Sequence, residues 1–392
     1  MFAAFRTARK ALIWLLLPIV ALILAACDTV TGPIGGGPSV DASEPVQVAL
    51  LVPRGSGSSG DEFLAQSLEN AARLAMRDLS GVTIDLRVYP TGGNAGQAAS
   101  QAALAVNEGA KIILGPVYAE AANAAGSAVA GAGVSVLSFS NNSAIAGGNV
   151  FVLGQTFGNT ADRLVGYAHS QGRDNIVIVH STDTAGQQGR SAIASAISRN
   201  GATLAGSVSY ALSQEEVIAA VPTVKSTVES SGANAIFLTS PSASALPLFA
   251  QLLPEAGLAP GATQYIGLTR WDIPPQTLSL PGVQGGWFAV PDAAAAGAFS
   301  AKYQAAYGSA PHPIAGLGFD GIAAVGALIS QGKSNALSPA ALTQGAGFRG
   351  ASGVFRLRSD GSNERGLAVA TVRDNKVIIL SPAPQGFGGA LF

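Results

Sequence analysis

The amino-acid sequence predicts an α/β protein of two lobes with largely parallel sheets, and three observations predict it. Short β-branched runs such as residues 111–114 (KIIL) and 134–137 (VSVL) are too brief for helices, and they alternate with longer stretches whose apolar residues recur every three or four positions. Alternating strand and helix specifies parallel strands joined by crossover helices. The alternation restarts after Phe151, so there are two such units, and 392 residues exceed what one compact core usually holds.

In chain order, residues 46–52 (VQVALLV) read as a strand and 53–60 as a Gly/Ser loop. A helix at 61–79 follows, with Phe63, Leu64, Leu68, Ala71, Ala72 and Ala75 on one face and Arg73 and Arg77 opposite. A strand at 82–89, a turn at 91–96 and a helix at 98–108 lead to the strands at 111–114 and 134–137. Two parallel strands deliver two polar loops, 115–120 and 138–143, to the same edge. Ligands of open α/β sheets bind beyond the carboxyl ends of strands, so these loops are expected to line one site. The second unit reads as helices at 159–171, 189–200, 214–231 and 243–255 among strands at 175–180, 203–210, 235–239, 263–268 and 285–290, with Pro222 expected to interrupt its helix. Helices at 293–307 and 314–331 precede strands at 353–358, 366–372 and 376–380. Asp360-Gly361 and Asp374-Asn375 serve as turns there, which suggests a small antiparallel tail on one sheet.

Composition narrows the function classes. Lys and Arg number 22 against 23 acidic residues, so a net charge of −1 gives no electrostatic reason to expect nucleic acid or an anionic substrate. Charged residues are only 11% while glycines number 49, fitting tight turns and close helix packing, and 48% hydrophobic residues exclude disorder. The single cysteine, Cys27, follows Arg6, Arg9, Lys10, an apolar run over 11–24 and the small pair Ala25-Ala26. This resembles a bacterial lipoprotein signal at 1–26, which implies cleavage before Cys27, acylation of that residue and a membrane lipid anchor. The apolar stretch 11–26 contains Pro18 and is shorter than the roughly 20 residues a membrane span needs. Residues 27–45, rich in Gly, Pro and Ser, read as a flexible tether.

Ile113-Leu114-Gly115-Pro116, Val136-Leu137-Ser138-Phe139-Ser140, the YQAAYGSAP run at 303–311, Gly318-Phe319-Asp320-Gly321 and the segment 355–361 together resemble the type I periplasmic binding proteins of the leucine/isoleucine/valine group. Thr91-Gly92-Gly93, Asn141, Trp271-Asp272, the GWFAVPD run at 286–292 and the ERGLAV run at 364–369 are most similar to the penicillin-binding-protein activator lipoproteins. The resemblance implies two Rossmann-like lobes joined by three crossings, the first lobe from 46–155 plus 291–345 and the second from 156–290 plus 346–380, with a tail at 381–392. It implies a periplasmic accessory of a penicillin-binding protein, a peptidoglycan synthase. The alternative is a substrate-binding lipoprotein handing an amino acid or related small molecule to an ABC transporter permease.

By the same resemblance, Ser138, Ser140 and Asn141 are expected to meet a ligand carboxylate. Tyr118 stands where a small hydroxyl residue is usual. Asp183 opens the second-lobe loop, with Gly186 where a tyrosine often follows, and Arg270 and Trp271 form the remaining polar cluster. Ser and Asn after strands are also plain turn formers, and Trp271 and Trp287 are also plain packing residues. No catalytic set, cofactor or metal is expected: His169, His180 and His312 lie far apart, Ser330-Gln-Gly-Lys333 has no K-T-G to accompany it, and no G-x-S-x-G occurs.

Overall fold

The structure, a computed structural model, describes residues 36–388. The expected lipoprotein signal, Cys27 and most of the expected tether lie outside the described residues, as does the end of the expected tail.

The first sheet is built from β1 (Val46–Val52), β2 (Ile84–Pro90), β3 (Ile112–Leu114), β4 (Val136–Ser138) and β5 (Val150–Val152), all parallel in the order β2-β1-β3-β4-β5. Helices α1 (Ser59–Met76), α2 (Ala95–Asn107) and α3 (Ala119–Val129) supply the crossovers. β1 is buried along its whole length, as a strand covered by helices on both faces must be. α1 starts because Ser58 accepts a hydrogen bond from the Asp61 N–H, and Asp61 and Glu62 add negative charge to its first turn.

After β5 the chain leaves through Leu153, Gly154 and Gln155 into α4 (Phe157–Ser170), which opens on a capping box between Thr156 and Asn159. The second unit continues as β6 (Asn175–Ser181), α5 (Thr184–Arg199), β7 (Thr203–Tyr210), α6 (Gln214–Ser231), β8 (Ala235–Leu238), α7 (Ala245–Glu255), β9 (Gln264–Gly267) and β10 (Trp287–Val290). Pro222 does not interrupt α6, contrary to expectation: the helix runs through it with the proline on the exposed face, where the lost backbone bond faces water.

A second crossing at Pro291 and Asp292 leads to α8 (Ala293–Tyr307), α9 (Gly316–Ile329) and the short α10 (Pro339–Leu342), which rejoin the first unit. α9 lies against α1 so closely that a Cβ at Gly318 would collide with the Leu68 carbonyl; glycine is what permits the approach. β11 (Phe348–Gly350), β12 (Gly353–Leu357) and β13 (Asn363–Arg365) form a separate antiparallel sheet, whereas β14 (Ala368–Arg373) and β15 (Lys376–Ser381) extend the second sheet in the order β15-β14-β10-β9-β8-β6-β7. The antiparallel tail is therefore divided between two sheets instead of sitting on one. Phe348, Phe355 and Leu357 bury in the core beneath β1 and α9, so residues expected to open the returning second-lobe segment pack with the first unit. Asp374 and Asn375, both at positive φ, make the tight β14–β15 turn.

Where the crossings meet, β13 binds the chain together. Asn363 donates to the carbonyls of Val152 and Gly154 at 2.8 and 2.9 Å, and its own carbonyl accepts from Asn159 at 2.9 Å. Arg365 donates to the Leu153 carbonyl and, at 2.9 Å, to Asp320 of α9; both members of this ion pair are buried. Burial pushes the Asp320 carboxyl up, opposed by Arg365 and by the Ala351 N–H. Residues 382–387 then run as a strap over the junction. Ala383 is buried in the second-unit core, Gln385 donates to Asp292 at 2.8 Å, and Phe387 lies under the Arg356 guanidinium at 4.7 Å.

Candidate functional site

The chain leaves the first sheet at the carboxyl end of β5 and the second at the carboxyl end of β10, each time within three residues of entering the other unit. β14 returns antiparallel with Ala368 paired to Val290, so it too begins at that end. The carboxyl edges of both parallel sheets therefore abut the crossings, and the loops that leave these edges are the candidate site.

On the first-unit side, Ser138 ends β4 fully buried. Its Oγ donates to the Pro116 carbonyl at 3.1 Å and accepts from the Ser140 N–H at 3.1 Å, tying the two loops together. Ser140 Oγ accepts from the Asn142 N–H at 3.1 Å. Asn141 is exposed. Tyr118 starts α3 and is 40% exposed, with its hydroxyl donating to Asp61 of α1 and its ring over Gly93. The bond to Asp61, with burial adding to it, raises the Tyr118 hydroxyl to about 12.

On the second-unit side, Asp183 caps α5 by accepting from the Gly186 N–H at 2.9 Å and from Ser181 Oγ at 2.6 Å, bonds that hold its carboxyl below the usual range. A Cβ on Gly186 would collide with the backbone and hydroxyl of Ser181, so no tyrosine fits there. An aromatic arrives from elsewhere: Tyr210, the last residue of β7, donates to Ser240 at the end of β8 at 2.9 Å. Burial raises the Tyr210 hydroxyl, with Ser240 opposing. Thr239 beside it carries a buried Oγ1 without a partner. Ser181, Asp183, Tyr210 and Ser240 thus form one polar cluster at three adjacent strand ends. Tyr210 and Ser240 were not among the expected site residues, although their place at strand ends was a usable signal.

Arg270 and Trp271 do not join this cluster as expected. Trp271 is fully buried, stacked on Phe288 at 5.9 Å, and its ring fills the space left by Gly267 and Gly286, where any Cβ would strike it. Arg270 is neutralised by a two-pronged bond to Asp272. A groove of about 1400 Å³ opens beside the strand ends; Asn141 and Thr184 lie on its rim, and Ser138, Ser140, Tyr118 and Asp183 do not line it. Among the described residues no cluster of His, Cys, Asp and Glu could hold a metal ion.

A family model described as periplasmic binding protein matches residues 45–376. This chain belongs to the periplasmic binding-protein family. That is a family of periplasmic, substrate-binding rather than catalytic proteins, and the two parallel-sheet lobes described above are its type I fold. A branched-chain amino acid ABC transporter protein from Rhodospirillum rubrum is 18% identical with a TM-score of 0.72, covering 86% of this chain and 100% of its own. A substrate-binding protein from Desulfitobacterium hafniense in complex with Leu has a TM-score of 0.60 at 18% identity, over 86% of this chain and 100% of its own. A solute-binding protein from R. palustris in complex with benzoate has a TM-score of 0.54 at 18% identity, over 88% and 97%. At such identities the likeness is one of fold. No curated protein matches the sequence.

Proposed function

We propose that this periplasmic binding protein closes its two lobes on a small carboxylate-bearing solute and hands it to an ABC transporter. The observation that carries the reading is the cluster of Ser181, Asp183, Tyr210 and Ser240 at the carboxyl edge of the second sheet. It places the exposed Asp183, backed by the buried hydroxyls of Ser181, Tyr210 and Ser240, at the edge that abuts the crossings, where a closing cleft recruits both lobes. Leucine and benzoate, the ligands named for two of the similar structures, share a carboxylate. The test is thermal unfolding of the whole chain with leucine, its relatives and benzoate. A ligand at 100 times its Kd is expected to add about 2.7 kcal/mol. Absence of stabilisation by any of these carboxylates overturns the proposal.

A second reading, an accessory lipoprotein of a penicillin-binding protein, is favoured by one specific observation. Ser138 and Tyr118 already donate their hydroxyl protons inside the first lobe, to the Pro116 carbonyl and to Asp61, which leaves Ser140, whose Oγ accepts from the Asn142 N–H, as the one expected hydroxyl with a proton to give a carboxylate. Crosslinking in intact envelopes separates the two: a transporter permease is expected under the first reading, a peptidoglycan synthase under the second. Both readings place the protein on a membrane through acylated Cys27. Cys27→Ser is expected to leave the chain unacylated, and normal acylation of that variant would refute the anchor.

A further inference from the structure

The groove beside the strand ends is larger than the roughly 300–1,000 Å³ of ordinary small-molecule pockets, at about 1400 Å³. It is walled by α4 and α5 of the second lobe, the loop after β4 of the first, the β12–β13 turn and the strap. Of its 31 lining residues, 13 are Asn, Gln, Ser or Thr. Thr184, Gln188, Ser191 and Ser195 lie on one exposed face of α5, at spacings of four, three and four residues.

Most charges on the walls are paired; Arg163 instead donates to the Leu367 and Pro382 carbonyls and to Ser381, and Asp360 accepts from Ser362. Arg199 meets Asp162 at 2.7 Å, Glu364 takes Arg356 and Arg358 at 2.6 and 2.8 Å, and Arg365 is bound to Asp320. Counting Asp320 behind Arg365, five arginines stand against four carboxylates, a near-balanced wall that gives a polyanion or polycation little net field. On the floor, Asn363 is 5% exposed and its buried Oδ1 has no hydrogen-bond partner, although its amide donates twice to the crossing. That acceptor is closed to solvent, so a ligand in the groove meets the exposed amides and hydroxyls of the walls instead. Phe157, Tyr167 and Phe387, each half-buried, provide flat apolar surface between the polar groups.

We propose that this groove binds a neutral, hydroxyl-rich saccharide chain lying across the crossings. Amides and hydroxyls pair with sugar hydroxyls in both directions, since each both donates and accepts. The aromatic rings match the apolar faces of pyranose rings. The inference does not use the Asp183–Tyr210 cluster: the groove is lined by the flank of the second lobe, the loop after β4, the β12–β13 turn and the strap.

The experiment is equilibrium binding of a labelled chitin oligosaccharide to the whole chain in detergent. Saturable binding that survives high salt is expected, as is a loss of at least about tenfold in Ser191→Trp, which puts a bulky side chain into the groove from an exposed position. Gln188→Ala with Ser195→Ala is expected to weaken it less, with unfolding temperatures unchanged in both variants. No saturable binding, undiminished binding to Ser191→Trp, or stronger binding of a neutral glycine-serine peptide would each overturn the proposal.

Discussion

Asp183 holds the first turn of α5 and anchors the polar cluster at once. Removing it in Asp183→Ala is expected to cost about 1 kcal/mol of stability, as lost N-caps do, measurable by denaturant titration. Because its folded carboxyl titrates below the usual range, the stability it contributes is complete above about pH 4 and is lost as pH falls through that lower value. The wild-type protein should therefore lose more stability than Asp183→Ala over that acid window. At Gly186 the expectation is the reverse of a gain: Gly186→Tyr, which introduces the aromatic that the resemblance led one to expect, is expected to unfold the start of α5, read as lost helical circular dichroism, because Ser181 occupies the space. Trp271→Ala is expected to cost about 3–5 kcal/mol through the cavity it opens, and to leave solute binding intact if the protein folds. The packing reading of Trp271 was available in the sequence, but what it packs against, and the closure of Gly186, were not legible there. Both depend on what Gly267, Gly286 and Ser181 bring near, and a one-dimensional motif shows only that a tryptophan or a glycine is present.

At the scale of elements, the strands and helices were largely legible, because β1 and β6 are mostly apolar runs, β8 is wholly apolar, and α1 repeats its apolar residues at three and four. What was not legible was where the last elements go. The alternation in 353–380 marks strands but cannot say which sheet receives them, and Phe348 and Phe355 joined the first core while Val369 and Val372 joined the second. Two motifs separated in sequence, around Asp320 and around Arg365, meet as a buried ion pair that fastens α9 to the first crossing. Asp320→Ala is expected to destabilise by about 3–5 kcal/mol in chemical denaturation, since it strands a buried guanidinium. Asp320→Leu combined with Arg365→Met is expected to recover much of that loss, because the desolvation cost of both charges disappears together.

For the whole molecule, the carboxyl edges of two parallel sheets abut three crossings, and the strap adds a fourth, non-covalent connection through Gln385 and Phe387. Removing it with Gln385→Ala and Phe387→Ala is expected to widen the distribution of lobe separations measured by spectroscopic distance labels. The discontinuity of the first lobe also sets a timetable. α1 emerges early in synthesis, but its partner α9 and the aromatic residues Phe348 and Phe355 follow more than two hundred residues later. Through that interval the sheet of β1 to β5 must wait with one apolar face uncovered, while β6 to β10 can already pair with their neighbours. Such long-range closure is slow and leaves sticky surface exposed. A chain halted at Val290 should therefore bind hydrophobic dyes and envelope chaperones through its first-lobe strands, and release them only once α8 to β12 have been made.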